Sequence, residues 1–382
     1  GYRQCISLAL MHVYPRRSKK KMLSFAIDLS ESLLPSKLCE GEHYSENDLV
    51  KIEVIGEIDR KDMKEQFVPN TLILNFKCID QLKIGSVDHA LQYSTMLSNL
   101  LTAAFGTPIA PAKLIQYDGS PIYRSPHRGI TAQSFSNGLL EGRHSLGSCV
   151  GFTIDNIAEL AKDLVLSEKW SVTPLSNLER ASMFYAEAIV ASRHSAGVSY
   201  SLLLSSLECL ASAKSISTEE LIDPEDLELI RSLEGHPDFG PKIASRIRSR
   251  FYQLKRRCIA VALSSYDEKC YFLDQANSQK DANRKVEFKD WSKRISASYD
   301  LRSAYMHSGN EGIDTALSWW KTDYQKFRSI INDKKTLKLI KNAFNIYQLN
   351  GIVQHCLSYS IREALSPNQL QKPNIWNYIS TT

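Results

Sequence analysis

The chain has little of what several large enzyme classes need. Its eight cysteines, Cys5, Cys39, Cys78, Cys149, Cys209, Cys258, Cys270 and Cys356, are scattered over 382 residues without a Cys-x-x-Cys pair. That excludes the short-spaced zinc and dithiol-redox motifs and fits reduced, cytosolic thiols. There is no Gly-rich phosphate loop, no His/Glu cluster at metal-ligand spacing and no Gly-x-Ser-x-Gly elbow, so P-loop, zinc-hydrolase and serine-esterase chemistry lack their signatures. No apolar run approaches the roughly 20 residues that cross a bilayer. The longest early one, Cys5 to Tyr14, is interrupted by His12, and no membrane association is expected. Arg16, Arg17, Lys19, Lys20 and Lys21 follow that apolar part, the reverse of a secretory signal, so residues 1–21 read as a basic arm or an appended remnant. Neither sign of charge dominates: 47 Lys and Arg stand against 42 Asp and Glu. A formal net charge of +5 permits a polyanionic partner without requiring one.

A hydrophobic content of 43% is enough for a substantial core divided over two or three domains. Val50, Ile52 and Val54 alternate with charged residues, and Leu72, Leu74 and Phe76 recur at the same spacing of two, which predicts strands. A helix over 87–105, carrying Leu91, Met96, Leu97, Leu100 and Leu101 and closed by Gly106, precedes a third strand candidate, Ala112 to Tyr117. Residues 22–150 therefore read as an α+β region, ending in a Gly-, Ser- and Arg-rich connector over 117–151. After about Phe152 helical periodicity dominates. Helices are predicted near 154–167, 177–194, 197–213, 242–263, 285–307, 311–332 and 335–365, with a polar loop over 264–284. The chain is thus predominantly helical, with an all-α region at 151–382.

One residue breaks the apolar pattern of the 285–307 helix. Phe288, Trp291, Ile295, Tyr299, Arg302 and Met306 recur at intervals of three or four, the spacing of a single helix face. Arg302 is the lone cation in that row. A guanidinium withdrawn from water costs several kcal/mol unless it meets a carboxylate, a phosphate or a wet interface. His307 follows five residues later and Gly309 is placed to end the helix. Five residues turn an ideal helix by about 140°, so Arg302 and His307 do not share a face. Three arrangements bring them together: the helix ends before His307, the guanidinium reaches around the helix, or two copies of the segment meet across a symmetric dimer.

An imidazole and a guanidinium suffice to cleave RNA without a metal. The imidazole exchanges protons with the 2′-hydroxyl or the leaving 5′-oxygen, and the guanidinium steadies the charged phosphorane. The 2′-hydroxyl is then the internal nucleophile, which selects RNA over DNA and yields a 2′,3′-cyclic phosphate. Tyr299 and Asp300, beside Arg302, are candidates to orient these groups or stack on a base, and equally for packing and helix surface. Lys242, Arg246, Arg248, Arg250, Lys255, Arg256 and Arg257 place seven positive residues within sixteen positions and no acidic one, a candidate phosphate-binding run or a solvated helix face.

The segment Tyr299-Asp300-Leu301-Arg302-Ser303-Ala304-Tyr305-Met306-His307-Ser308-Gly309 resembles the Arg-x(4 to 6)-His signature of HEPN ribonuclease domains, in particular the ApeA-like branch with its Tyr-Asp-Leu-Arg-x-x-x-x-His-Gly pattern. Leu207-Glu208-Cys209-Leu210 is similar to the Leu-Glu-x-Leu core of that branch's first helix. About residues 178–365 are covered. Ser308 stands between His307 and Gly309, and Ser303 follows the arginine where many members carry Asn, Asp or His; neither departure removes a catalytic group. The resemblance implies an all-α HEPN bundle, catalysis by Arg302 and His307, no cofactor and no metal. It also implies a homodimer with a composite site and a cytoplasmic role in abortive anti-phage defence.

Glu208 shares a helix with Leu203, Leu207 and Leu210, so a partly buried carboxylate near Arg302 is expected, either as a structural salt bridge or in support of the site. RNA, with tRNA among the candidates, is the expected partner, drawn in by Lys242, Arg246, Arg250, Lys255, Arg256 and Arg257. Under this hypothesis residues 22–150 form an α+β sensing or regulatory domain, through which an unidentified activating ligand or phage protein would act. The alternative is a non-catalytic HEPN-like module that dimerises and binds RNA or protein. Arg124, His127, Arg128, Arg143 and His144 on the connector, Trp319 and Trp320, and Arg193-His194 at a helix end read as loop polarity, packing and dipole compensation.

Overall fold

A computed structural model describes residues 23–28, 44–46, 50–59, 66–76, 87–106, 109, 113–117, 120–121, 157–159, 162, 174–213, 221–222, 224–236, 240–251, 254–266, 286–308, 317, 331 and 333–365. The arm at 1–21, the connector residues Arg124, His127, Arg128, Arg143 and His144, Gly309 and the Trp319-Trp320 pair lie outside them. So does most of the expected 154–167 and 311–332 helices and of the 264–284 loop. The described residues are predominantly helical. The chain divides into two compact units: Gly1–Leu101, Ile109–Gln133 and Gly151–Glu168 form one, and Thr102–Pro108, Ser134–Val150 and Lys169–Thr382 the other. Residues 151–168, assigned by sequence to the helical half, cluster with the first unit.

In the first unit the backbone runs through β1 (Leu23–Asp28), β2 (Tyr44–Glu46), β3 (Val50–Asp59), β4 (Gln66–Phe76), β5 (Lys113–Tyr117) and β6 (Ser120–Pro121). These pair antiparallel in the order β2-β3-β4-β1-β5-β6. Leu74 stands opposite Phe25 of β1 and Ile52 of β3. Helix α1 (Val87–Phe105) buries Leu97, Leu100 and Leu101.

The second unit begins with the end of α1. Gly106 there has φ +68° and donates to Thr102 O at 2.8 Å, a left-handed helix terminus that glycine adopts without steric cost. The Gln354 side-chain amide lies 2.0 Å from where a Cβ on Gly106 would sit.

The unit is built around a hairpin of α2 (Pro174–Ala191) and α3 (Ala196–Ala213). Ser195 caps α3 by accepting from Val198 N at 3.1 Å, the role in which a short hydroxyl side chain offsets an orphaned helix donor. Four small residues make the seam. Ser199 and Ser206, seven apart on α3, donate at 2.7 Å to the carbonyls of Ala188 and Ala181, seven apart on α2. All four are fully buried. Small side chains let the backbones approach, and each hydroxyl uses the free lone pair of a carbonyl already bonded in its own helix.

Helix α3 also packs on α6 (Leu254–Ser264), α7 (Trp291–Ser308) and α9 (Ile346–Leu365). Contrary to the sequence reading, which found no apolar run of that size, it is the one helix among the described residues long and apolar enough to cross a membrane, and 61% of it is buried inside the structure, as in a core helix surrounded by others.

Three expectations are corrected. A helix absent from the sequence reading, α4 (Pro224–Glu234), pairs with α5 (Gly240–Phe251) around Ile222, Ile230 and Ala244. Its signal was Pro224 in the first turn followed by Glu225 and Asp226, the residues a helix N-terminus favours. The expected 242–263 helix is two, α5 and α6. The expected 335–365 helix is also two, α8 (Lys334–Asn342) and α9.

The second break is made by hydrogen bonds. Asn345 accepts from Gln348 N at 2.9 Å while Gln348 Oε1 accepts from Asn345 N at 3.2 Å, a reciprocal capping box. Tyr200 of α3 donates to Phe344 O at 3.0 Å, and Ser298 of α7 accepts from Phe344 N at 3.1 Å. Both polar groups of the interrupted turn are thereby satisfied in the core. Beyond it, every residue of α9 from Ile352 to Ile361 is buried, so the two apolar rows read from sequence serve a helix enclosed on all sides.

Helix α7 is preceded by a 3-10 turn, Phe288–Asp290. Its fully buried row is Trp291, Ile295, Ser298 and Leu301. Trp291 meets Phe288, Tyr266 and His355 in an aromatic cluster with centroids 5.4–6.3 Å from its own.

Replacing Asn345 by Ala is expected to lower the unfolding free energy of the helical unit by about 0.5–2 kcal/mol, with Asn345→Asp costing less, as read from urea unfolding followed by helical circular dichroism. Equal losses in the two variants would remove the capping role.

Candidate active site

Leu301 of α7 is completely buried, and the next residue, Arg302, stands at the edge of the core with 23% of its side chain exposed. Met306, assigned by sequence to the inner stripe, is 64% exposed. The discrepancy has a geometric cause: positions 299, 302 and 306 follow a row displaced round the helix from 291, 295, 298 and 301, and it drifts toward solvent.

The half-buried guanidinium is compensated within the chain. Arg302 Nη1 donates to Glu208 Oε1 at 2.5 Å, and the Glu208 side chain, on α3, is 18% exposed. The same oxygen accepts from the Tyr299 hydroxyl. Tyr299 lies one turn before Arg302, and the Arg302 Cζ stands 5.7 Å from its ring centroid, within cation–π range.

Beneath the cluster is Cys258 of α6, fully buried. Burial, reinforced by the Glu208 charge, pushes its thiol well up from the ordinary range. Burial also raises the Cys209 thiol, again with Glu208 adding to it. The Tyr299 phenol is raised first by burial and then by its bond to Glu208. All three groups hold their protons near neutral pH, so Tyr299 serves as a donor and neither thiol offers a thiolate nucleophile.

Asp300, next to Tyr299, faces α6 instead. Lys255 Nζ donates to its two carboxylate oxygens at 2.9 and 3.0 Å. With Asp300 half exposed, this pair contributes little stability.

The structure also divides the basic run. Arg256 donates to Leu221 O at 3.4 Å, and Arg257 to Ala211 O. The Ala211 carbonyl belongs to the last turn of α3, where a cation meets unsatisfied acceptors and the negative end of the dipole. Lys255 and Arg257 thus tie α6 to α7 and α3, and Arg256 holds Leu221 ahead of α4, while Lys242 and Arg246 are exposed on α5. The Arg250 side chain lies outside the described residues.

His307 is exposed in the last turn of α7, and the helix continues through Ser308. Of the three arrangements that would bring it to Arg302, an early helix end is therefore removed. What fixes this end of α7 escaped sequence reasoning. The Tyr305 ring packs so closely on Gly197 that a Cβ there would lie 2.3 Å from Cζ, and the Tyr305 hydroxyl is 3.4 Å from Ser195 Oγ. Gly197 inside a helix costs about 0.5–1 kcal/mol relative to alanine, which was the available signal that something had to approach it.

The Arg302 guanidinium points back along α7 toward Glu208, whereas His307 stands two residues past Tyr305, anchored at the opposite end of α3. Arg302, Tyr299 and Glu208 are brought together; Asp300 and Lys255 form a separate pair; His307 is not joined to the cluster within one chain. Arg193 and His194 lie in the turn between α2 and α3, with His194 exposed. Among the described residues no group of three or more His, Cys, Asp or Glu is placed to hold a metal ion. No family model, curated protein or solved structure matches the chain.

An exposed ion pair contributes about 0–1 kcal/mol, and breaking a fully buried one costs about 3–5 kcal/mol. With both side chains largely but not wholly covered, Arg302→Ala or Glu208→Ala is expected to cost about 1–3 kcal/mol, and the double variant less than the sum of the two. A double-mutant cycle in urea with no coupling would show that the pair does not stabilise the fold. Separately, Gly197→Ala is expected to displace Tyr305 and lower stability by about 1–3 kcal/mol, with Tyr305→Ala relieving part of that loss; undiminished stability in Gly197→Ala would remove the anchor.

Proposed function

We propose that this chain is a metal-independent endoribonuclease of the HEPN type, in its ApeA-like branch. It acts in the cytoplasm in abortive anti-phage defence and cuts RNA, tRNA among the candidates. The observation that carries the proposal is one helix bearing a guanidinium at the rim of the core, held by Glu208, and, five residues on, a solvent-exposed imidazole that is not part of that cluster. A symmetric homodimer supplies the missing proximity, setting His307 of one protomer near Arg302 of its partner.

The chemistry then needs no other group. An imidazole takes the 2′-hydroxyl proton, the 2′-oxygen attacks phosphorus, the guanidinium stabilises the phosphorane, and an imidazolium returns a proton to the departing 5′-oxygen. The products are a 2′,3′-cyclic phosphate and a 5′-hydroxyl. Lys242 and Arg246 attract the polyanion, an attraction that weakens with salt. We further propose that the N-terminal region is an α+β sensing domain, responding to a ligand or a phage protein.

A second function is favoured by one specific observation: Arg302 already has a carboxylate partner in its own chain. On that basis the helical unit would be a non-catalytic HEPN-like module that dimerises and binds RNA or protein. Incubating wild type and His307→Ala with total RNA in excess EDTA, and mapping the ends, separates the two. Catalysis predicts cyclic phosphate ends from wild type, a loss of about 10²–10⁴-fold in His307→Ala and an unchanged unfolding midpoint. RNA retained by both proteins and cut by neither selects the binding module, and cutting by wild type only when a divalent ion is restored overturns the proposed mechanism.

A further inference from the structure

Three features of the second unit lie beyond the proposed reaction: the α4–α5 hairpin, the Cys209 and Cys258 thiols beside Glu208, and the shared oxygen of Glu208. The last carries an inference furthest. Glu208 Oε1 accepts from two donors on α7, the Arg302 guanidinium and the Tyr299 hydroxyl. A carboxylate and an RNA phosphodiester each carry a single negative charge and each present oxygens to a guanidinium fork. They are alternative partners for the same cation.

We propose that Glu208 is a latch on Arg302: its carboxylate occupies the guanidinium in the resting chain, and an RNA phosphodiester engages Arg302 only by displacing it, with Tyr299 retaining Glu208 when the guanidinium leaves. This rests on the reading of Arg302 as the phosphate-binding group.

The geometry suits an exchange better than a permanent lock. Both side chains of the pair keep partial contact with solvent, 23% and 18%, so an incoming anion reaches the guanidinium without the core opening. A sealed ion pair would lack that access, and a fully exposed one would be screened too strongly to compete.

The exchange is also balanced. Net charge at the guanidinium is the same before and after, since one monoanion replaces another. Glu208, which lies near the buried Cys258, keeps a hydrogen-bond donor when Arg302 leaves, because the Tyr299 hydroxyl already donates to the same oxygen. An abandoned carboxylate in that position would make release far more costly. Tyr299 is thus a positioning residue acting through Glu208, with no part in proton transfer.

The signs of two conservative variants separate a latch from a merely structural cluster. Glu208→Gln keeps the size and an acceptor oxygen but removes the charge that competes for Arg302, so RNA should bind more tightly, by about tenfold. Tyr299→Phe takes away the donor that stabilises the released carboxylate, so binding should weaken by a similar factor. In the Glu208→Gln background Tyr299→Phe should have little effect, because no anion remains to be retained. If the cluster only supports the fold or holds Arg302 in its working pose, both single variants weaken binding.

The experiment measures fluorescence anisotropy of a labelled single-stranded RNA with the full-length chain, each variant made on His307→Ala to prevent cutting, alongside cleavage rates of the same variants with His307 intact and urea unfolding of each protein. Tighter binding and faster cutting in Glu208→Gln, with weaker binding in Tyr299→Phe, are the expected results. RNA bound or cut by wild type but with both variants weakened, or both unchanged, overturns the latch and leaves the nuclease standing. RNA neither bound nor cut by wild type or either variant overturns the nuclease and the latch with it. Should Glu208→Gln fail to fold, weaker binding in a folded Tyr299→Phe supports the latch, and unchanged or tighter binding there overturns it.

Discussion

A guanidinium cannot be half withdrawn from water without an anion to meet it, and much of the helical unit's arrangement follows from how Arg302 satisfies that requirement. Its partner, Glu208, comes from a different helix, so α3 and α7 are held at one crossing by a charge-assisted bond as well as by packing. Tyr299 adds a second donor to the same carboxylate oxygen and a ring beside the cation. Charge, hydrogen bond and aromatic face therefore constrain one another, and none is fully satisfied if α7 turns or slides against α3.

Two devices make α3 able to receive that crossing. The small-residue seam of Ala181, Ala188, Ser199 and Ser206 draws α2 against it and uses serine hydroxyls to satisfy themselves on neighbouring carbonyls. Apolar helices that lie so close would otherwise bury unpaired hydroxyls, each at a cost of about 1–3 kcal/mol. Near the other end of the same helix, Gly197 admits the Tyr305 ring. Helix α7 is thus fastened to α3 at two separated points, Glu208 and Gly197. The interval between those fasteners keeps His307 apart from the Arg302 cluster inside one protomer, because the guanidinium reaches to one and the last turn of α7 extends beyond the other.

That separation bears on function in two ways. A nuclease site drawn from both groups needs a second chain, so dimerisation and catalysis become one requirement in the proposed mechanism. In the proposed mechanism the intramolecular partner of Arg302 also means that the group assigned to the phosphate is occupied at rest. A ribonuclease acting inside its own cell benefits from such a restraint, since activity then depends on substrate or assembly displacing a bond that already exists. The basic run is divided by the fold: Lys255, Arg256 and Arg257 are engaged with Asp300, Leu221 and Ala211, while Lys242 and Arg246 are exposed on α5.

The predominance of helix, the span of α1 with its glycine terminus, and the course of α7 through Arg302 were legible from periodicity, because apolar spacing and helix-ending residues act locally and are written in neighbouring positions. The expectation of a partly buried carboxylate near Arg302 was legible for a related reason: a lone cation on an apolar row requires an anion, and Glu208 sat on another apolar row. Less accessible were the breaks at Ala343–Asn345 and between α5 and α6, since a helical pattern continues across each and what interrupts the first is Tyr200 and Ser298, distant in sequence, binding the Phe344 backbone. The rotation that buries Leu301, leaves Arg302 at the rim and exposes Met306 depended on which face α3 presents. Sequence by itself determined which residues want to be helical and which charge wants a partner; tertiary structure decided that the partner is Glu208 with Tyr299 on the same oxygen, and that Tyr305 against Gly197 holds His307 elsewhere, because long-range packing sets direction and distance while local spacing sets only period.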